Sequence, residues 1–482
     1  MAPSNSGKDV FIFRDAGWNL AAYGHFESAG LPYMRDLTPR LGSHYTPILA
    51  LLFAGYASVF PRNAYAGTVF GLLLGLLAAA VSLFWVLRQP PGRLRTIAAS
   101  AIAALPVVFV SIDRPEPIGL VLSCVVLAVA AGNKSRPVLT GILIALVFLA
   151  HPFSAVADAL WVSALSLSRN WTVAGRWSRT LKETALTGLT CIAAIAPVAL
   201  LFYGLDHDSL RRFAAHAFGM HSGMGEAMSA KSTRSFLGML KENTELSKLR
   251  LFTYLGSLAP ELFLLVWILW RRKDLSHRDW LAVGACLACA AVCILLFPVQ
   301  TAYLNLLALL IPLGLLIASA PGGKLARVGL ALLLLTVFVR VPDAALSVIQ
   351  RVEQWPSYTA AKDQPAYLLA HLASPNAIVG LAGTSGSYDL FKPEFRHLVA
   401  VGYMEKEAYS GIEGVANCYA TFHGPDAARI PFPPFSDASE FELIQSAPQH
   451  TWITLFGHRM MRAQWGYGCD LYVKKSAAKS AM

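Results

Sequence analysis

Long apolar stretches separated by short polar ones make up most of the first 340 residues of this chain. A helix needs roughly 20 apolar residues to cross the hydrocarbon core of a bilayer, with a lower limit of about 17. The pattern therefore predicts a mainly α protein, a polytopic transmembrane bundle of about ten spans between residues 63 and 340. The predicted spans are 64–87, 97–110, 118–131, 138–150, 155–167, 186–202, 251–270, 281–297, 304–320 and 328–339.

A different pattern begins near residue 344. Short β-branched segments at 377–383, 397–403 and 451–457 are bounded by Gly, Ser and Pro, and a helical pattern lies at 365–372. Such segments predict strands between helices, and so a small soluble α/β domain. The sequence thus predicts two domains, a transmembrane domain at 1–343 and a soluble domain at 344–482.

Composition and charge agree with a membrane protein. The 482 residues are 55% hydrophobic and only 14% charged, and the mean hydropathy is +0.50, whereas a soluble domain carries about 25% charged residues. The net charge is +11, but the basic residues form no patch with interleaved aromatics, which argues against nucleic acid. They fall in short loops at 88–95, 132–137, 168–183, 271–279 and 321–327.

Basic loops between spans lie on the cytoplasmic side of a membrane. The alternate loops, and both termini, are then predicted to face outward. The first outward loop, residues 1–62, is unusually rich in ionisable groups and ends in a short apolar stretch at 44–60, which predicts a juxtamembrane helix. Because polar chemistry crowded against a membrane face indicates a functional site, we expect the active site on this side.

Three phrases on this outward side carry a resemblance. They are Asp15-Ala-Gly-Trp-Asn, Gly30-Leu-Pro-Tyr-Met-Arg-Asp36 and His44-Tyr-Thr-Pro47. Arg114-Pro115-Glu116 then stands at the outer end of a span, and His151 follows a later outward span. In this order the phrases resemble the GT-C-type membrane glycosyltransferases, of the protein O-mannosyltransferase and aminoarabinose lipid A transferase-like group. The resemblance covers roughly residues 10–345.

The resemblance implies transfer of a sugar from a polyprenyl-phosphate donor to a lipid, glycan or protein acceptor on the outer face of a bacterial inner membrane. An attacking hydroxyl must lose a proton, and a nearby carboxylate can accept it. Asp15 is the candidate base, with a helix N-cap as its alternative. Asp36 is expected to bind sugar or acceptor hydroxyls, unless it only forms a turn. Glu116 completes the predicted catalytic set.

The leaving lipid phosphate needs cations to stabilise its charge, and arginine binds phosphate oxygens two at a time. Each arginine has an alternative as an interfacial side chain, and His151 has one as a core histidine. The predicted substrate-binding residues are Arg35, Arg40, His44, Asp113, Arg114, His151, Arg211 and Tyr303. The long loop at 203–250 is expected to act as a lid.

No metal site is predicted, although Asp113 and Glu116 near Asp15 leave Mg²⁺ or Mn²⁺ open as a cofactor. Two other functions also stay open. A lipid-linked sugar transporter or flippase would need ionisable groups in mid-span, and the mid-span positions of this sequence are almost free of charge. An O-antigen ligase or polymerase would place its chemistry in the loop at 203–250. Related glycosyltransferases begin with a span, so we expect one ahead of this start.

The cysteines divide into two groups. Cys286 and Cys289 form a lone C-x-x-C in a predicted span, where small apolar packing is expected. Cys418 and Cys469 lie in the predicted soluble domain, where export leaves a disulfide between them open.

Overall fold

A computed structural model describes the chain in part. The described residues are 16–22, 24, 26, 47–60, 65–87, 93–104, 116–132, 134–203, 263–296, 301–318, 324–353, 355–356, 359, 378–382, 398–400, 416–422, 438–447, 452–455, 457–462 and 469–476. At some of these positions, Tyr303 among them, only the backbone is described.

The described part of the first 353 residues is helical, as the apolar pattern predicts. The helices are α1 Pro47–Val59, α2 Ala66–Leu87, α3 Arg93–Ala103, α4 Glu116–Ala130, α5 Pro137–Ala150, α6 Pro152–Asn170, α7 Arg176–Tyr203, α8 His277–Leu296, α9 Thr301–Ala318 and α10 Lys324–Glu353. Residues 16–22 and 263–271 are also helical. The helix expected at 44–60 is thus present as α1.

Two of the described helices are long and apolar enough to cross a membrane, α2 and the Arg176–Leu201 part of α7. Several helices also expose rows of large apolar side chains. On α7, Leu181, Leu189, Ile192 and Leu201 are between 66% and 75% exposed. A soluble protein would bury such a continuous apolar face, so these rows indicate contact with lipid.

α6 lies at the centre of the described bundle and packs against α4, α5, α7, α8 and α9. Its contacts with α4 and α5 form an apolar cluster of buried side chains. The members are Val126, Ala130, Ile144, Val147, Ala155 and Val162. Cys289 of α8 also approaches α6, with Sγ 3.7 Å from the carbonyl oxygen of Ala157. Cys286 and Cys289 are both buried and neither forms a disulfide, as expected for small packing residues.

Glycines let neighbouring helices approach closely at two points. A Cβ on Gly141 of α5 would lie 2.5 Å from the carbonyl oxygen of Thr187 in α7. A Cβ on Gly314 of α9 would lie 2.5 Å from the indole ring of Trp161 in α6. Small residues of this kind allow membrane helices to pack through van der Waals contact.

Several predicted helix boundaries were wrong. α10 runs from Lys324 to Glu353, well beyond the expected span at 328–339. α8 begins at His277, four residues before the expected start, because Ser276 and Asp279 form a capping box: Ser276 N–H donates to Asp279 Oδ2 at 3.0 Å, and Asp279 N–H donates to Ser276 Oγ at 3.3 Å. α6 ends at Asn170 and α7 begins at Arg176, so most of the expected basic loop at 168–183 is helical. Its Arg, Lys, Thr, Leu and Glu residues are compatible with a helix.

The described part of the tail contains the three strands named from the sequence, as β1 Ile378–Ala382, β2 Leu398–Ala400 and β5 Trp452–Leu455. It also contains β3 Ala416–Phe422, β4 Phe441–Ala447, β6 His458–Arg462 and β7 Cys469–Lys474. One sheet has the order β2-β1-β3-β7-β4, and β5 pairs with β6 separately. β1 is parallel to β2 and to β3, whereas β7 is antiparallel to both its neighbours. The helix expected at 365–372 lies outside the described residues.

The strand register does not support a disulfide between Cys418 and Cys469. Cys418 lies opposite Val473, and Cys469 lies opposite Phe422. Four residues of strand at about 3.3 Å each separate these positions by about 13 Å along the ladder. A disulfide needs Cα atoms within about 7 Å of each other. The two cysteines are therefore at opposite ends of one strand pair, and the disulfide is not formed in this arrangement.

The chain divides into two compact units. One contains residues 1–45, 49–71 and 343–482, and the other contains 46–48 and 72–342. In the first unit, aromatic rings join α1 to its neighbours: Phe53 stacks on Trp18 at 5.9 Å between centroids and meets Phe70 edge-on at 5.3 Å. The second unit holds α3 to α9, and with them the candidate site.

Candidate functional site

Buried ionisable side chains collect where α4 and α6 begin. Glu116 is the first residue of α4 and is 1% exposed, and His151 immediately precedes α6 and is fully buried. Charged and polar groups are costly to bury unless they are bound by hydrogen bonds. Two such groups at the starts of adjacent helices therefore indicate a built polar site within an apolar bundle.

His151 connects α5 and α6 and has an extended backbone, with φ −156° and ψ 95°. Its N–H donates to the carbonyl oxygen of Val147 at 2.6 Å, which ends α5. Its ring caps α6, because Nδ1 accepts from the backbone N–H of Ser154 at 3.3 Å. Pro152 follows at the first helical position, where its missing N–H costs nothing.

The capping bond sets the tautomer of His151. Nδ1 keeps its lone pair as the acceptor of the Ser154 N–H, and the Ser154 hydroxyl lies 2.7 Å from the same nitrogen. The neutral ring then carries its proton on Nε2. The imidazole is thus held in the form that donates a hydrogen bond from Nε2.

Gly119 brings α4 against this turn. A Cβ at Gly119 would lie 2.8 Å from Ser154 Oγ and 3.0 Å from His151 Cβ. Only a residue without a side chain permits this contact. Glu116 lies one turn before Gly119 on α4, so Glu116 and His151 occupy the same end of the contact between α4 and α6.

A carboxylate lies one turn deeper between the same helices. Asp158 of α6 is fully buried, and Ser123 of α4 donates from Oγ to its Oδ2 at 2.8 Å. The other oxygen, Oδ1, has no hydrogen-bond partner among the described residues. Ionisable residues inside membrane helices mark functional sites by default, so Asp158 belongs to the candidate site.

The sequence reasoning missed Asp158. The predicted span at 155–167 contains this residue, and its presence in an apolar stretch was itself the signal. Mid-span positions were expected to be almost free of charge, and Asp158 is an exception to that pattern. Glu183 was expected in the basic loop at 168–183, but α7 includes it, and Ser166 of α6 donates to its Oε2 at 2.6 Å.

Trp161 lies one further turn along α6. Its side chain is fully buried, and the indole N–H has no acceptor within the part of the chain that the structure describes. The ring packs on Gly314, where no side chain intervenes. This contact joins α9 to the helix that carries His151 and Asp158.

The site thus combines carboxylates, a neutral imidazole and serine hydroxyls in an apolar setting. Hydrogen bonds are stronger there than in water, because the surroundings screen them little. Such groups can accept a proton from a hydroxyl, or donate hydrogen bonds to an anionic oxygen. Their geometry is fixed by helix starts and a glycine contact, not by flexible loops.

Of the predicted site residues, the structure places Glu116 and His151 at one end of the contact between α4 and α6. Tyr303 is described only as backbone, in the first turn of α9. The others lie outside the described residues: Asp15, Asp36, Arg35, Arg40, His44, Asp113, Arg114 and Arg211. The predicted lid at 203–250 falls outside them too, apart from residue 203.

Across the described ranges, no three His, Cys, Asp or Glu side chains are grouped so as to hold a metal ion. Two of the acids discussed above as candidate cation ligands, Asp15 and Asp113, lie outside those ranges. The described residues therefore do not test whether the protein binds Mg²⁺ or Mn²⁺.

One protein family matches most of this region. The family model described as Glycosyltransferase family 87 matches residues 44–298, more than half of the 482-residue chain. The match includes Glu116, His151 and Asp158. Comparisons with curated proteins and with solved structures give no match.

Proposed function

Because the chain belongs to glycosyltransferase family 87, and is therefore a membrane glycosyltransferase, we propose that it takes its sugar from a polyprenyl-phosphate donor. The acceptor is a lipid, glycan or protein of the cell envelope. We place the reaction on the outer, periplasmic face of a bacterial inner membrane, within a GT-C-like bundle.

One observation carries the proposal: Glu116 and His151 are buried together at the start of α4 and α6, inside the matched region. This end of both helices is the outer end in the orientation that the basic loops indicate. A lipid-linked donor presents its phosphate at the membrane surface, where such an end would meet it.

In the proposed reaction, the acceptor hydroxyl attacks the anomeric carbon of the sugar. Its proton passes to the Asp15 carboxylate, and a new carbon–oxygen bond forms to the acceptor. The bond between the anomeric carbon and the phosphate oxygen breaks, and polyprenyl phosphate leaves with the electron pair. Asp36 binds hydroxyls of the sugar or acceptor. Glu116 is the third acid of the proposed catalytic set, with Asp15 and Asp36.

The departing phosphate needs hydrogen-bond donors. The neutral His151 ring donates from Nε2, because its Nδ1 caps α6. Arg35, Arg40, Arg114 and Arg211 supply the positive charge that a phosphate dianion requires. We propose these arginines because of the family resemblance and because their loops are predicted to face outward.

Asp158 acts on the reaction through position. Its bond with Ser123 holds α4 at one register on α6, and the Gly119 contact closes the same pair of helices one turn away. Together these contacts align Glu116 with His151. We assign Asp158 as a positioning residue and propose no metal for this mechanism.

The test is sugar transfer in proteoliposomes, with a panel of radiolabelled polyprenyl-phosphate sugars and an envelope glycolipid extract. Wild type is compared with Asp15→Asn, and the matched control is Asp274→Asn, an exposed carboxylate. We expect transfer by wild type and by the control, and a loss of at least about a hundredfold in Asp15→Asn.

Other outcomes reassign the chemistry. Transfer that survives in Asp15→Asn would move the base to Asp36 or Glu116. Transfer dependent only on the loop at 203–250 would favour the ligase or polymerase reading. Movement of the donor between leaflets without transfer would favour a transporter, for which the buried Asp158 supplies a mid-span carboxylate.

A further inference from the structure

A cavity lies at the opposite end of α6 from His151. Its volume is about 350 Å³, within the range of about 300–1,000 Å³ typical of small-molecule sites. α6, α8 and α10 supply most of its lining. The lining residues used below are Trp161, Leu165, Arg278, Leu281 and Lys324.

The cavity is amphipathic. Its apolar part is formed by Trp161, Leu165 and Leu281, and the Trp161 indole N–H has no acceptor among the described residues. Its polar part contains two cations, Arg278 and Lys324. An apolar chamber beside a charged rim fits a molecule with a lipid chain and a charged head.

The carboxylates of the rim are already engaged. Asp279 is bound in the capping box with Ser276, and Asp274 accepts from Arg271 at 3.1 Å and lies 3.7 Å from the Lys324 ammonium group. Arg278 has no ion-pair partner within the described part of the chain. The two cations and two carboxylates of the lining balance in formal charge, so an anionic ligand is bound through Arg278, the cation that no described carboxylate pairs with.

Two helices also begin at this rim. Arg278 lies in the first turn of α8, and Lys324 is the first residue of α10. The start of a helix carries partial positive charge, which favours phosphate. The capping box of Ser276 and Asp279 already occupies the start of α8, so Arg278 and the start of α10 are the features that favour an anionic head.

We propose that this cavity binds an anionic phospholipid of the adjacent leaflet. The phosphate lies between Arg278 and Lys324, and the first carbons of the chain lie against Trp161 and Leu165. The site is separate from the sugar-transfer site and does not depend on the proposed donor or acceptor.

The test uses the full-length protein, delipidated in detergent, and brominated phosphatidylglycerol, whose bromines quench nearby tryptophans. Exposed tryptophans such as Trp270 are quenched by any surrounding lipid, so the expected signal is a saturable component of the quenching that Trp161→Phe removes. Arg278→Ala should raise the half-saturating lipid concentration roughly tenfold, as expected for one charge-assisted bond. Arg272→Ala is the matched control, because Arg272 is exposed nearby but does not line the cavity.

Three results would overturn the proposal. Equal affinity for brominated phosphatidylcholine would show that head-group charge is not recognised. An equal change in the half-saturating lipid concentration for Arg278→Ala and Arg272→Ala would show that Arg278 does not bind the phosphate. Reversal of quenching by inorganic phosphate alone would identify a soluble phosphate compound as the occupant.

Trp161→Phe also alters packing on Gly314 and risks misfolding. Native mass spectrometry of retained phosphatidylglycerol, comparing Arg278→Ala with Arg272→Ala, needs no tryptophan signal. We expect fewer retained lipids in Arg278→Ala alone, and equal retention in the two variants would contradict the site.

Discussion

The two ends of α6 use similar chemical groups in opposite settings. At the His151 end, Glu116 and His151 are at most 1% exposed. At the other end, the side chains of Asp274 and Lys324 are 41% and 54% exposed. Each end of α6 thus has an acidic and a basic side chain nearby, and the two ends differ in how far these side chains are buried.

The difference lies in how much surrounding structure fixes each group. His151 is held by its backbone, its cap and the close approach of Gly119, so its ring has one orientation and one tautomer. An exposed pair such as Arg271 and Asp274 is screened by water and contributes little to stability. The buried end suits chemistry, and the open end suits reversible binding.

The largest expected effect tests the buried end. Glu116→Gln keeps the shape of the side chain but removes its charge, so sugar transfer should fall by about a hundredfold or more. The measurement is transfer rate in proteoliposomes. Glu440→Gln, at an exposed glutamate that pairs with Lys474, is the control and should leave the rate unchanged. Equal rates in both variants would remove Glu116 from the mechanism.

The next effect tests the contact between Gly314 of α9 and Trp161 in the middle of α6. Gly314→Ala forces a methyl group against the Trp161 ring, so we expect a loss of about 1–3 kcal/mol from overpacking. Thermal inactivation in detergent measures it. In the control, Gly284→Ala, the added methyl meets nothing within 4 Å and should stabilise α8 by up to about 1 kcal/mol. Similar shifts in both variants would contradict the close contact.

A smaller effect concerns Ser123. Ser123→Ala removes the donor to Asp158 and should cost about 1 kcal/mol, near the upper range for hydrogen bonds between membrane helices. Combining it with Asp158→Asn in a double-mutant cycle measures the coupling. A coupling energy near zero would show that the pair does not hold α4 on α6.

The smallest expected effect concerns the exposed ion pairs of Asp274, at the end of α6 opposite His151. Asp274→Asn removes two exposed ion pairs, and the free energy of unfolding should change by less than about 0.5 kcal/mol. Salt titration of thermal inactivation checks this, since the small difference from wild type should vanish as salt rises. A loss like that of Gly314→Ala would mean that the exposed end is structural.

The pattern of apolar residues was enough to predict most described helices and strands, because periodicity and length depend on local composition. Helix starts were less predictable. The capping box at Ser276 and Asp279 is visible in the sequence but was not used, and α7 extends through basic residues that were expected to form a loop. Of the C-terminal strands, β1, β2 and β5 were predicted, but the register that separates Cys418 from Cys469 was not.

The site was predicted in part. Glu116 and His151 stood out because acidic and imidazole groups bordered apolar stretches. Asp158 lies within the predicted span at 155–167 and was not predicted as a site residue. Composition along the chain does not reveal which face of a helix a residue occupies, nor whether a serine on another helix is there to bind it.

By itself, the sequence determined the membrane character, the helical class, the C-terminal strands and the acidic, basic and imidazole groups available for sugar transfer. Only the tertiary structure decided that Ser123 meets Asp158, that Gly119 admits His151, and that a cavity with two cations lies at the far end of α6. The physical reason is that these contacts join residues 32 or more positions apart, and such distances are set by packing, not by local pattern.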